Sequence, residues 1–271
     1  MGFIAGNYVL AFLDILGQQD KLKQITRMPE TEKDINEFYR LISDTYGHVD
    51  SLKTMYFRLM AEIYHENSPS IVSKIRPEIK SQRFSDSLLI FHNVFKSSDK
   101  IPIIGIYYLI ATCGMLMLSS LAEEYSIRGG FELGIGMEPE DNYFYGPVLS
   151  EAYNIESCEA IYPRIVIGNK LYDYIVSQKD IKNDLNQEIY TTMANRTLEL
   201  IKNDNFDNKN IVHFLSNKFM NLWPDKNIVD KLLQRILKYI ELQMIKFKSD
   251  TKILYKYELL KKYYNESVIE K

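Results

Sequence analysis

Two aspartates of this 271-residue chain stand in apolar company. Asp14 lies inside AFLDILG, preceded by the apolar YVL, in a run that reads as a buried strand. Asp86 lies in RFSDSLLIF, against a second apolar run. Each has a phenylalanine two residues before it, Phe12 and Phe84. An unpaired carboxylate in an apolar strand costs several kcal/mol, so something must offset it. Two carboxylates on neighbouring strands repel unless a cation lies between them. A hard divalent ion such as Mg²⁺ or Mn²⁺ satisfies both and keeps positions open for phosphate oxygens. Two such ions about 4 Å apart serve in-line phosphoryl chemistry. For Asp86 a plainer reading stands beside this one, because Ser-Asp-Ser is good turn chemistry. For Asp14 the flanking run leaves little room for a turn.

The elements that must position these acids follow from periodicity. Residues 7–16 read as a strand. Residues 31–67 carry apolar positions at helical spacing (Ile35, Phe38, Leu41, Ile42, then Leu52, Met55, Leu59), which predicts two helices broken near Gly47. The NSPS at 67–70 closes that segment. RFSDSLLIF predicts a hairpin with Ser85-Asp86 at the turn. IRGGFELGIGM is a glycine-rich strand, NYFYGPVLSEAYNIESCEA a loop running into a helix, YPRIVIGN a strand opened by proline, and KLYDYIVSQ a short helix. Strands and helices thus alternate through residue 180, which implies a sheet with helices on one face. Beyond residue 185, TLELIKNDNFDNKNIVHFL reads as two short strands around a polar turn, and two amphipathic helices follow. The expected organisation is a first domain over 1–184 and an extension over 185–271 packed on it.

Composition narrows the class. The chain is 46% hydrophobic and 25% charged with a net charge of −3, so no global basic field points to nucleic acid. Cys113 and Cys158 have no C-x-x-C partner, which gives neither a disulfide framework nor a zinc signature and suits a reducing cytoplasm. MGFIAGNYVL has no basic leader region and no small-residue cleavage site. Ile101–Leu121 is uncharged and long enough to span a bilayer. Thr112, Ser119, Ser120 and internal glycines favour a core helix, and so does its place between two strands of one site; no membrane span is expected. The four histidines are scattered, and the glycines of RGGFELGIG do not form a dinucleotide fingerprint ahead of a helix. KYELLKKYY alternates basic and aromatic residues, yet its helical spacing and the acidic net charge favour packing over single-stranded nucleic acid.

The order of motifs resembles the class III nucleotidyl cyclases, and divergent bacterial pyrimidine cyclases among them. FLDILG looks like their first metal-binding strand, F-x-D-I-x-G. RFSDSLLIF looks like their hairpin carrying the second metal aspartate, where Ser85 stands in place of the usual glycine. IRGGFELGIG resembles R-x-G-I-x-x-G, YGPVLSEAYNIES resembles W-G-x-x-V-N-x-A-x-R-x-E, and IVIGNKLYDYI resembles the strand and helix that follow. The resemblance covers about residues 7–178. It implies an α+β fold, a ferredoxin-like palm with a mixed sheet, plus an α-helical C-terminal extension, working as a homodimer. It implies two Mg²⁺ or Mn²⁺ ions held by Asp14, Ile15 and Asp86. The ribose 3′-hydroxyl of a nucleoside triphosphate would then attack the α-phosphate, leaving a 3′,5′-cyclic nucleotide and pyrophosphate. Gly17 falls in the nucleotide-binding set. A polymerase or diguanylate cyclase on a related palm would need a Gly-Gly-Asp-Glu-Phe hairpin, which RFSDS lacks.

The chain departs from the pattern where the base is read. The expected lysine and aspartate-or-cysteine positions fall on Gln82 and Tyr143, and the asparagine and arginine that support ribose and transition state fall on Ser150 and Asn154. A bulky aromatic would suit a smaller pyrimidine ring, UTP or CTP, as in cyclases of anti-phage defence. The alternative is a catalytically silent nucleotide-binding or dimerisation module. For the triphosphate the local cations are Arg83, Arg128 and Arg164, with Arg164 ranked first and Lys170 nearby. The plain alternative for each is a solvated charge, and for Arg128 a salt bridge to Glu123 or Glu124.

Overall fold

The computed structural model describes residues 4–17, 28–66, 77–95, 101–140, 143–182, 185–221 and 226–269. The turn expected at 67–70 and residues 1–3 lie outside these. Strand β1 (Ile4–Ile15) has both faces covered. Val9, Ala11, Leu13 and Ile15 enter the main core, while Tyr8, Leu10 and Phe12 enter a second, smaller core on the opposite face. That is why the strand reads as a continuous apolar run instead of an alternating one.

Helix α1 (Glu32–Glu66) runs unbroken through Gly47, where two helices were expected. A glycine in a helix interior costs only about 1 kcal/mol. Burial of Val49, Leu52, Tyr56, Leu59 and Ile63 along one stripe outweighs it. The helix starts at a reciprocal cap: Thr31 Oγ1 accepts from Asp34 N, and Asp34 Oδ2 accepts from Thr31 N. Strands β2 (Ile79–Phe84) and β3 (Ser87–Asn93) form the expected hairpin around Ser85-Asp86. Helix α2 (Pro102–Ala122) is long and apolar enough to cross a membrane, and every one of its residues is buried inside the fold. Strand β4 (Ile127–Glu140) follows.

These six elements run β-α-β-β-α-β in sequence, with spatial order β2-β3-β1-β4 and antiparallel pairing throughout. That is the ferredoxin-like split arrangement, so the α+β palm is confirmed. The chain then adds β5 (Tyr143–Tyr145), α3 (Pro147–Asn154), a π-helical turn at Ile155–Glu159, and β6 (Ile165–Ile167), which pairs parallel to β4. Helices α4 (Asn169–Ser177) and α5 (Gln187–Leu198) lead to β7 (Ile201–Asn203) and β8 (Asn210–Val212). Strand β8 pairs with β6, so the C-terminal part extends the same sheet. The short α6 (Asn217–Met220) is followed by α7 (Lys226–Lys246), packed on α2, and α8 (Thr251–Ile269), packed on α7. The large helices gather on one face, and the short α3 covers the other.

Candidate active site

Register decides what Asp14 meets. It pairs with Ser87 on β3 and with Arg128 on β4, so the three side chains share the face that Leu10 and Phe12 present to α3. Ser87 Oγ donates to Asp14 Oδ1 at 3.2 Å. Arg128 Nε stands 3.9 Å from Asp14 Oδ2. Asp86 occupies the β2–β3 turn one residue from Ser87, at the same end of the sheet. Burial pushes the Asp14 carboxyl up to about 6, with the negative charge of Asp86 adding to it; Arg128 and Ser87 pull the other way. The charge of Asp86 is thus felt at Asp14 and is only partly compensated.

A third carboxylate completes the cluster. Glu156, in the π-helical turn after α3, is 2% exposed and ion-paired with Arg128 Nε. Burial raises its carboxyl to about 7 against the pull of Arg128, and the charges of Asp14 and Asp86 push the same way as burial. Gly130 brings it there. A Cβ at that position would stand 2.4 Å from the Ala152 carbonyl oxygen and 2.7 Å from Glu156 N, so the turn can lie on β4 only over a glycine. The strand glycine thus serves the close approach of a helix backbone. Sequence reasoning missed Glu156. Its signal was available, as the final acid of the Y-G…E stretch at 145–156.

The remaining expected residues divide. Gln82 and Tyr143 come together: Gln82 Oε1 accepts from Phe144 N at 2.7 Å, so β5 is tied across the palm beside the exposed Tyr143. Ser150 and Asn154 are exposed on α3. Ile15 is buried in the main core, which leaves its backbone carbonyl for any ligand role. Gly17 ends β1 in a left-handed conformation, φ 85, suited to glycine. Ser85 adopts φ 55 at the hairpin turn, the strained conformation that the family's glycine would take freely.

Two of the arginines do not serve. Arg83 points to the other face, where Nη1 pairs with Asp50 at 2.9 Å and the guanidinium covers Tyr46. Arg164, ranked first for the triphosphate, is fully buried. Its Nη1 donates to Asp204 Oδ2 at 2.5 Å and to Asp207 Oδ1 at 3.0 Å; its Nη2 donates to Asp207 Oδ2 at 2.5 Å and to the Glu159 carbonyl at 2.6 Å. Both terminal nitrogens are committed to the β7–β8 turn and the Glu159 carbonyl, in a position closed to solvent, and that assignment is corrected. Lys170 pairs with Glu151 at 2.7 Å. Arg128 holds Asp14 and Glu156, so the salt bridge considered to Glu123 or Glu124 is corrected as well.

The donor set suits a hard cation in kind. Asp14 and Asp86 both offer carboxylate oxygens, and burial, with the charge of Asp86 added, holds the Asp14 carboxyl above its usual range. Among the described residues no group of three His, Cys, Asp or Glu side chains is arranged to hold a metal by itself. A divalent ion held by two carboxylates would complete its shell with water and phosphate, which is ordinary for Mg²⁺.

No family model and no curated protein matches the chain by sequence. Among solved structures it is similar to a class III adenylyl cyclase-like ATP-binding protein from Pseudomonas aeruginosa, at 14% identity and a TM-score of 0.43, over 73% of this chain and 43% of that one. The chain therefore spans less than half the length of that protein.

Proposed function

We propose that the chain is a metal-dependent nucleotidyl cyclase that converts a nucleoside triphosphate to a 3′,5′-cyclic monophosphate and pyrophosphate. The observation that carries this reading is the placement of Asp14 and Asp86 at one end of a ferredoxin-like palm with their charges opposed and only partly offset. Polar groups kept in such an unrelieved arrangement mark functional sites more often than structural ones. When bound, divalent cations would neutralise the triphosphate and lower the pKa of the attacking hydroxyl. Asp14 and Asp86 would hold them. Arg128 orients Asp14 and Glu156 and adds a fixed positive charge beside the phosphate position. Ser87 holds the Asp14 carboxylate in one rotamer through its hydrogen bond. The chemistry asked of the protein is mostly positioning and electrostatic compensation.

The base position, beside Tyr143 and the Gln82–Phe144 tie, favours a pyrimidine, UTP or CTP, and with it a signalling role in bacterial anti-phage defence. A homodimer in the cytoplasm is the working assembly. The test is incubation with Mn²⁺ and each of ATP, GTP, CTP and UTP in turn, with products read by mass spectrometry. A cyclic monophosphate from one of them, lost in Asp14→Ala, supports the reading. A second reading, a silent nucleotide-binding or dimerisation module, is favoured by Ser150 and Asn154, which replace the family's ribose and transition-state residues. It gains if a folded chain gives no product with any of the four nucleotides.

A further inference from the structure

A cavity of about 360 Å³ opens just past the C-terminal end of β1; none of Asp14, Asp86, Arg128 and Glu156 lines it. One wall is the end of β1, Leu16 and Gly17, which directly follow Asp14 and Ile15. The other wall is the C-terminal helical hairpin: Tyr239, Gln243 and Lys246 from α7, Lys256 and Tyr257 from α8. Its floor is set by Ser126, whose Oγ shares hydrogen bonds with the Tyr239 and Tyr257 hydroxyls at 3.1 and 3.3 Å. Among the described residues two ammonium groups, Lys246 and Lys256, line this cavity with one carboxylate, Glu124. Lys256 is half-buried, and among the described residues no carboxylate pairs with it. Burial lowers its pKa, and the charges of Arg128 and Lys252 lower it further, opposed by Glu156 and Asp250. A half-buried cation close to a guanidinium and without an ion pair of its own is a group that gains from an anion. Lys246 lies over the Phe247 ring at 5.0 Å, with the rest of its ammonium exposed.

We propose that this cavity receives the β- and γ-phosphates of the bound nucleotide, with Lys256 and Lys246 of the C-terminal hairpin supplying the cations that the buried Arg164 cannot. The inference rests on the cyclase reading, since it is the α-phosphate held at Asp14 and Asp86 that would direct the rest of the chain past Gly17. It gives the C-terminal extension a role in the site, and it makes Gly17 the bend between the two halves of the nucleotide-binding surface. Both lysines are positioned by helices instead of strand ends, so neither falls within the motifs of the first 178 residues.

Calorimetry of the full chain with inorganic tripolyphosphate tests this without turnover. Binding should weaken about tenfold in Lys256→Gln, as expected for loss of a charge-assisted contact, and less in Lys246→Gln. Lys262→Gln, a charge-matched change on α8 outside the cavity, should leave it unchanged, and circular dichroism should report the same fold for all. Absence of tripolyphosphate binding in the parent chain, or equal binding in the parent and both lysine variants, overturns the inference. The two readings fail separately. Tripolyphosphate binding that depends on Lys256, with no cyclic product from any nucleotide, upholds the cavity and sinks the cyclase. A cyclic product formed by the lysine variants with unchanged KM does the reverse.

Discussion

Two arginines of this protein sit among several carboxylates, with opposite results. Arg164 meets Asp204 and Asp207 through three donated hydrogen bonds and gives a fourth to the Glu159 carbonyl. Tyr162 donates to Asp204 at 2.6 Å and stacks under the guanidinium. Arg128 meets Asp14, Glu156 and, nearby, Asp86, and among the described residues it is the one cation ion-paired with any of the three. In the first cluster both terminal nitrogens of the guanidinium are engaged while Nε has no partner among the described residues, and the cluster fastens β6 to the β7–β8 turn. The second leaves two carboxyl groups displaced well above their ordinary range. An arginine among carboxylates is therefore no guide to function by itself; the balance of charges around it separates a rivet from a site.

The sharpest way to break this contrast is to exchange the consequences. Asp204→Ala should destabilise the fold by about 3–5 kcal/mol in urea titration, because it leaves a buried guanidinium under-compensated. Asp14→Asn should do the opposite for stability, with an unchanged or higher urea midpoint, while reducing any cyclase turnover by at least about 100-fold. An Asp14→Asn chain that unfolds as readily as Asp204→Ala would show that the two clusters are both structural.

Acidity offers a finer test. The Glu156 carboxyl titrates near 7 in the folded chain against a usual 4.5. Between those values the folded chain holds a proton that the unfolded chain has released. The contribution of Glu156 to stability is thus fully present below about 4.5 and is lost as pH rises through about 7. Urea midpoints measured from pH 4.5 to 8 should show this decline, and Glu156→Gln should flatten it. A profile that is identical in the variant would place the charge deficit elsewhere. The smallest expected effects are in the backbone. Gly47→Ala should raise stability by about 1 kcal/mol, since a Cβ there meets nothing within 4 Å. Ser85→Gly should gain up to about 1 kcal/mol by relieving the left-handed turn, read as a rise of a few degrees in Tm.

Much of this was legible in the sequence. The apolar runs around Asp14 and Asp86 gave the palm strands, Ser85-Asp86 gave the turn, and the polar NDNFDNKN gave the β7–β8 turn, because local chemistry dominates at each of those places. Gly47 misled, since tertiary burial along α1 outweighs a local breaker. Arg164 misled for a related reason. A guanidinium after a proline at a strand start has the look of a phosphate ligand, and nothing within the strand shows that Asp204 and Asp207, some forty residues on, have claimed it. Periodicity and turn residues are short-range signals, and they suffice to say which elements form and which acids are held in apolar surroundings. Charge compensation is long-range. It takes the folded arrangement to bring Arg128 to Asp14 and Glu156 together, to let the π-helical turn close on the sheet over Gly130, and to set two lysines from the last helices beside the end of the first strand.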